Sequence, residues 1–218
     1  MKFIGIIPAR YSSSRLPGKP LAMIGNKPMI RHVYERASEA LTEVWVATDD
    51  QRIMDAVEAF GGRAVMTSAE HRTGTDRCAE VATRMAEAGD VIVNIQGDMP
   101  FITPESIILL CGCFNDPSTE IATLAAPFGA AEDILVPHKV KVLVENDGWA
   151  YNFSRVPIVK DLNNHGSQEG WLASNYKHIG IYGYRYETLL QITKLPQSPS
   201  ELAESLEQLR WLANGYRI

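Results

Sequence analysis

Phe3-Ile4-Gly5-Ile6-Ile7-Pro8-Ala9-Arg10, continued by Ser12-Ser13-Ser14-Arg15-Leu16-Pro17-Gly18-Lys19-Pro20, is the stretch on which the fold turns. A run of strand length, Phe3–Ile7, stops at Pro8. It carries no polar side chain, as a strand buried on both faces of a parallel sheet requires. A loop rich in small residues follows and presents Arg10, Arg15 and Lys19. Open α/β sheets bind ligands beyond the carboxyl ends of their strands. Small side chains there let backbone N–H groups approach phosphate oxygens, and cations neutralise the charge. The loop therefore suits a polyphosphate, with a solvated basic loop as the plain alternative. The Walker spacing G-x-x-x-x-G-K-[ST] is absent, and so is a G-x-G-x-x-G dinucleotide turn.

Working outward, strand-length apolar runs alternate with helical patterns, which predicts βαβ units and a mainly parallel sheet. Residues 28–38 carry Met29, Ile30, Val33 and Tyr34 at helical spacing. Val44–Ala47 reads as a strand, and Ile53, Val57 and Phe60 mark a helix that Gly61-Gly62 can end. Ala64–Met66 is a short strand, Asp76–Ala88 a helix and Val91–Ile95 a central strand. Pro104, after Thr103, opens another helix. From residue 120 the rhythm changes. Ile121–Ala125, Val140–Val144, Trp149–Phe153 and Ile179–Tyr184 read as strands without full helices between them, which predicts a mixed sheet. Residues 157–175 are polar and predict a long loop or arm. Ser200–Asn214 predicts one helix capped by Ser200, with Leu202, Leu206, Leu209 and Leu212 at helical spacing and Gly215 as its stop.

A chain of 218 residues can bury one substantial core and need not be more than one domain. The net charge of −5 does not advertise nucleic-acid binding, so local cation clusters read as sites. No apolar run approaches the length of a membrane span, and Phe3–Ile7 is too short for a signal segment. The expectation is a cytoplasmic protein with no membrane insertion. Cys78, Cys111 and Cys113 make no disulfide framework and lack the companions of a zinc site, so they read as reduced thiols.

Two further segments carry chemistry. The strand ending in Asn94-Ile95 runs into Gln96-Gly97-Asp98, which puts Asp98 at the carboxyl edge of the sheet. A carboxylate there can hold a Mg²⁺ that bridges nucleotide phosphates; a turn aspartate with no ligand is the other reading. His71-Arg72-Thr73-Gly74-Thr75-Asp76-Arg77 precedes a helix that Thr75 or Asp76 can cap, leaving an N-terminus that favours an anion or polar edge.

The spelling PARYSSSRLPGKPLAMIGNKPMI resembles the opening of the sugar cytidylyltransferases, most closely the 3-deoxy-manno-octulosonate (Kdo) cytidylyltransferase family. VATDD at 46–50, HRTGTDR at 71–77, NIQGDMPF at 94–101, FSR at 153–155, KHIGIYGYR at 177–185 and LEQLRWL at 206–212 follow in that family's order. The resemblance implies a Rossmann-like mixed sheet of the nucleotide-diphospho-sugar transferase type, a single layer of strands between helices. It implies transfer of CMP from CTP to Kdo with release of pyrophosphate, for lipopolysaccharide biosynthesis. It also implies a homodimer, with the 157–175 arm as a possible dimer contact.

By the same resemblance, Arg10, Arg15 and Lys19 hold the triphosphate, and Asp98 binds Mg²⁺. Thr73, Gly74, Arg77 and Gln96 hold the nucleotide. Telling cytosine from uracil takes an acceptor for the exocyclic amino group, which backbone carbonyls near Pro8 and Ala9 can supply. Arg155, His178, Tyr182, Glu207 and Gln208 correspond to the family's sugar contacts; from spacing alone, solvated or core side chains explain them as well. Met99 stands where the family usually has the Glu of Q-G-D-E-P. The chain stops at Tyr216-Arg217-Ile218, before an I-D-T-P-E-D-L-like segment whose Asp helps bind metal in the family, so the expected metal set reduces to Asp98. The alternatives are a cytidylyltransferase for another acidic sugar, such as sialic acid or an amino-Kdo, and a non-catalytic nucleotide-binding protein.

Overall fold

The structure, a computed structural model, describes residues 1–12, 16–129, 133–158 and 175–218. Arg15 and nearly all of the expected 157–175 arm lie outside the described residues. The chain forms two compact units, Met1–Ser118 with Ile181–Thr193, and Thr119–Gly180 with Lys194–Ile218.

The first unit begins with β1 (Phe3–Ala9), a short hairpin of β2 (Met23–Ile24) and β3 (Lys27–Pro28), and α1 (Met29–Ala40). It continues through β4 (Glu43–Thr48), α2 (Gln51–Ala59), β5 (Ala64–Met66), α3 (Gly74–Met85), β6 (Val91–Asn94) and α4 (Pro104–Gly112). The sheet order is β5-β4-β1-β6, all parallel. Steps from β1 to β4 to β5 move one way along the sheet, and the step to β6 moves back. Right-handed crossovers therefore place α1 and α2 on one face and α3 on the other. Ile4, Ile6, Ile7, Val46, Ile92 and Val93 are fully buried between them. Burying each such side chain stabilises the fold by about 1.5–3 kcal/mol, and this fixes β1 as the central strand that its apolar run predicted.

The expected helix over Asp76–Ala88 starts two residues earlier, at Gly74. Thr73, not Thr75 or Asp76, caps it: its hydroxyl accepts from the Asp76 N–H at 3.0 Å. The Asp76 carboxylate accepts from the Thr73 N–H at 3.1 Å, completing a reciprocal capping box.

The second unit contains β7 (Ile121–Ala126), β8 (Lys141–Val144), β9 (Ala150–Ser154) and the first residues of β10 (Asn175–Arg185). β8 lies antiparallel between β9 and β10, and β7 also pairs with β10; with the parallel pairs of β1, β4, β5 and β6 the sheet is mixed, as predicted. The last residues of β10 belong to the first unit, where they pair antiparallel with β6 and lead into α5 (Tyr186–Ile192). α5 packs against α3, and α4 against α1.

The single helix expected over Ser200–Asn214 is two, α6 (Pro199–Glu204) and α7 (Gln208–Ala213). Ser205, at φ 51° and ψ 48°, breaks it. A left-handed residue with a side chain costs about 1–2 kcal/mol, so something else in the unit holds it. Ser198, not Ser200, caps α6, because Pro199 occupies the first helical position and Glu201 completes the box. Leu202, on the predicted apolar stripe, is exposed, while Leu206 and Leu209 are buried. The Glu201 carboxylate receives both Arg210 Nη2, at 2.6 Å, and Arg210 Nε, at 2.8 Å, and both side chains are buried. Among the described residues, no helix is long and apolar enough to cross a membrane.

Candidate functional site

The carboxyl ends of β1 and β6 lie side by side because the two strands are parallel neighbours. A cleft opens there, lined by Pro8, Ala9 and Arg10 after β1, by Lys19 and Pro20, by Gly74 and Arg77 of α3, and by Gln96–Asp98 after β6. The sequence separates these residues by up to 90 positions, from Pro8 to Asp98; the doubly wound topology brings them to one edge. Arg10, Lys19, Asp98, Gly74, Arg77, Gln96, Pro8 and Ala9 all reach this cleft, and Thr73 sits behind it as the α3 cap.

Backbone packing at the cleft floor depends on two missing side chains. A Cβ on Gly97 would lie 2.9 Å from the Pro8 carbonyl oxygen, and one on Gly74 would lie 3.1 Å from Pro8 Cγ. Pro8 is thus approached by bare backbone from both α3 and the turn after β6. Gly18, at φ 70°, donates its N–H to the Tyr11 carbonyl at 2.8 Å and turns the chain toward Lys19. The Arg52 guanidinium covers the Tyr11 ring at 3.3 Å from its centroid, and its Nε and Nη2 donate to the Asp50 carboxylate.

Charge in the cleft is arranged in two layers. At the surface, Lys19 Nζ donates to Asp98 Oδ2 at 2.6 Å, and both side chains remain part-exposed. Deeper, Arg77 is fully buried. Its Nη2 donates to Asp49 Oδ2 at 2.8 Å and its Nη1 to the Thr67 hydroxyl, which in turn donates to the Thr48 carbonyl at 3.0 Å. Arg77 Nε is buried and meets no acceptor among the described residues. Asp49 and Thr67 are the partners that sequence reading missed as such; Asp49 directly follows β4, and nothing local shows that it faces an arginine from α3. The segment ahead of α3 is fastened by Glu80, which accepts from the Ser68 N–H at 2.9 Å and pairs with His71 and Arg84.

Among the described residues, no group of three or more His, Cys, Asp or Glu side chains could hold a metal ion. Among the described residues that line the cleft, Asp98 is the one carboxylate. That donor set fits Mg²⁺, which takes one or two protein carboxylates and completes its shell with phosphate oxygens and water. The thiols offer no competing chemistry. Cys78 is buried, burial pushes Cys111 up to about 11, and it raises Cys113 as well.

The five expected sugar contacts are divided between the units. Tyr182 belongs to the first, buried and stacked on Tyr184 with ring centroids 5.9 Å apart. Arg155, His178, Glu207 and Gln208 belong to the second. His178 meets the edge of Phe153 at 5.1 Å and shares a 3.0 Å hydrogen bond with the Thr123 hydroxyl. Burial pushes its pKa down to about 4, so the ring is neutral at pH 7. Glu207 lies 3.8 Å from Arg210, and Gln208 is buried at the start of α7. Arg155 turns its guanidinium onto backbone carbonyls of Pro137, Glu204 and Ser205.

Known proteins share this organisation. The family described as Cytidylyltransferase matches residues 4–218. The chain is 55% identical over 226 residues to the 3-deoxy-manno-octulosonate cytidylyltransferase of Parabacteroides distasonis, covering 100% of this chain and 88% of that protein. It is 54% identical over 223 residues to the protein of the same name from Bacteroides thetaiotaomicron, with the same coverage. A solved structure of CMP:2-keto-3-deoxy-manno-octonic acid synthetase complexed with CTP superposes with a TM-score of 0.90 at 46% identity, over 100% of this chain and 88% of that one. The chain belongs to the cytidylyltransferase family, among the 3-deoxy-manno-octulosonate cytidylyltransferases.

Proposed function

We propose that the chain transfers the CMP group of CTP to 3-deoxy-manno-octulosonate, releasing pyrophosphate, with Mg²⁺ as cofactor. The observation that carries this reading is the convergence of Arg10, Lys19 and Asp98 with Arg77 and Gln96 at the joint carboxyl edge of β1 and β6. The anomeric hydroxyl oxygen forms a bond to the α-phosphorus and its proton passes to solvent, while the bond from that phosphorus to the bridging oxygen breaks and pyrophosphate leaves in line with attack. Arg10 and Lys19 neutralise the triphosphate, so the chemistry is mostly positioning and charge compensation. Asp98 is the group that would hold Mg²⁺, which supplies charge neutralisation at the phosphates and lowers the pKa of a bound hydroxyl.

Base selection fits the cleft floor. The Pro8 carbonyl, beside the bare Cα of Gly97, is an acceptor of the kind that the cytosine amino group needs and uracil cannot satisfy. Kdo as acceptor is supported by the names of the relatives; a place in lipopolysaccharide biosynthesis, the cytoplasm and a homodimer rest on the resemblance alone.

The test is pyrophosphate release with CTP or UTP, with and without Mg²⁺, against a panel of Kdo, sialic acid and an amino-Kdo. Turnover should require CTP, Mg²⁺ and Kdo together. Equal rates with sialic acid would move the acceptor to that sugar, and CTP binding without any turnover would make the chain a nucleotide-binding protein. Sedimentation equilibrium decides the dimer.

A further inference from the structure

Residues 67–73 join β5 to α3 and belong to no helix or strand. Their backbone groups therefore look to side chains for partners. β5 itself has three residues and stands at one end of the strand order. The Thr67 N–H and hydroxyl both donate to the Thr48 carbonyl, at 2.8 Å and 3.0 Å, and the Glu70 N–H donates to the Ser68 hydroxyl at 3.1 Å. Three further ties come from α3. Arg77 donates to the Thr67 hydroxyl, Glu80 accepts from the Ser68 N–H at 2.9 Å and pairs with the His71 ring, and Arg84 Nη1 donates to the Met66 carbonyl at 2.9 Å. Positions 77, 80 and 84 are three and four residues apart, so they stand on one face of the helix.

Glu80 is the centre of this face. It binds the segment at Ser68 and at His71, and it orients the Arg84 that reaches Met66. Its carboxylate is half-buried. Burial works against the charge, yet the Ser68 N–H, the His71 ring and the Arg84 guanidinium hold its carboxyl below the usual carboxylate range. Two residues beyond His71, Thr73 caps α3, and Gly74 follows into the cleft. There a Cβ on Gly74 would lie 3.1 Å from Pro8 Cγ, so the first turn of α3 has little room to shift toward the residue whose carbonyl suits the cytosine amino group.

We infer that Glu80 is a positioning residue for the nucleotide: through Ser68, His71 and Arg84 it sets where Thr73 and Gly74 meet the base. The inference rests on the proposed reading of Thr73 and Gly74 as groups that hold the nucleotide. A carboxylate suits the task because its two oxygens accept several hydrogen bonds at once and its charge strengthens those from His71 and Arg84. Glu80 itself is not among the residues that line the cleft.

The experiment uses Glu80→Ala and Glu80→Gln of the whole chain, at a temperature where circular dichroism shows the proteins folded. Amide exchange over residues 68–73 is read beside calorimetric titration with cytidine, CTP and UTP and beside the KM for Kdo. Glu80→Ala should speed exchange across the segment. It should weaken cytidine and CTP by the same factor, about tenfold, the scale of one lost bond to a charged group. The preference for CTP over UTP should fall, and the KM for Kdo should stay unchanged. A purely structural role would leave base preference untouched. Glutamine keeps an acceptor for Ser68 and loses the charge that holds His71 and Arg84, so Glu80→Gln should show the same pattern at about two- to fivefold; it carries the comparison if Glu80→Ala does not fold. Unchanged exchange overturns the latch. Faster exchange with unchanged cytidine affinity or unchanged base preference overturns its link to the nucleotide, and so does a loss for CTP far larger than that for cytidine, which would place the effect at the triphosphate. If the unsubstituted chain binds neither cytidine nor CTP, that failure belongs to the nucleotide reading and shows before any variant is compared.

Discussion

Lys19 and Asp98 hold each other at 2.6 Å at the mouth of the cleft. A part-exposed ion pair of this kind contributes only about 0–1 kcal/mol, so little opposes an exchange of partners. Triphosphate can draw Lys19 away and leave Asp98 open to a cation, which makes nucleotide and metal binding mutually reinforcing. Lys19→Met should therefore weaken CTP binding by about 1.5–3 kcal/mol, the range of a charge-assisted contact, and leave cytidine binding nearly unchanged. Titration calorimetry with both ligands reads this, and equal losses for the two would point to a loop defect instead. Asp98→Asn should keep CTP affinity without metal but lower turnover at least about a hundredfold, by the scale of a lost transition-state contact. Near-normal turnover at limiting Mg²⁺ would remove Asp98 from the metal site. Gly97→Ala tests the cleft floor by another route. Its Cβ would press on the Pro8 carbonyl at 2.9 Å, so selectivity for CTP over UTP should fall more than overall stability does; unchanged selectivity would exclude that carbonyl from base recognition.

Among the elements, α3 couples fold to function most directly. Its capping box fixes the first turn, and that turn carries both Gly74 and Arg77 into the cleft. Thr73→Ala should cost about 1 kcal/mol of stability, the usual value of a lost cap, and should weaken CTP binding as well. Thr73→Ser keeps the hydroxyl and should restore both. A variant that lost stability but bound CTP normally would separate the cap from the site. This cap also shows where sequence reading falls short. The motif HRTGTDR announced a helix start, but three of its residues can cap, and the choice depended on the reciprocal bond between Thr73 and Asp76. The α6–α7 break was less legible still. Leucines at helical spacing predicted one continuous helix, and the groups bonded to the turn at Ser205 include Ser154 and Arg155, some fifty residues away. Local patterning cannot carry such a signal, because the residues that impose it are distant in the chain.

For the molecule as a whole, the strands and helices of residues 1–110, apart from the β2–β3 hairpin, were legible because each buried strand is an apolar run and each crossover helix has its own apolar stripe. The motif residues after β1 and β6 were legible too, since strand ends in an open sheet are where ligands bind. Burial of ionisable groups was not, and His178 is the case with a global consequence. In the sequence it is one polar residue within KHIGIYGYR, equally readable as ligand or core. In the structure, burial holds its pKa near 4 against an ordinary value of 6.5. A histidine whose folded pKa is depressed binds fewer protons folded than unfolded between those two values. Its contribution to stability is therefore fully present above pH 6.5 and is lost as the pH falls toward 4. At pH 5, where most carboxylates are still ionised, the loss should be about 2 kcal/mol by linkage. Urea unfolding at pH 7.5 and pH 5.0, for the unsubstituted chain and for His178→Gln, isolates this effect. Glutamine can keep a hydrogen bond with Thr123 and cannot titrate, so the variant should lose about 2 kcal/mol less on acidification. Equal losses in both proteins would mean that His178 is protonated in the folded state at pH 5, and that its ring is far better solvated than its contacts with Phe153 and Thr123 imply.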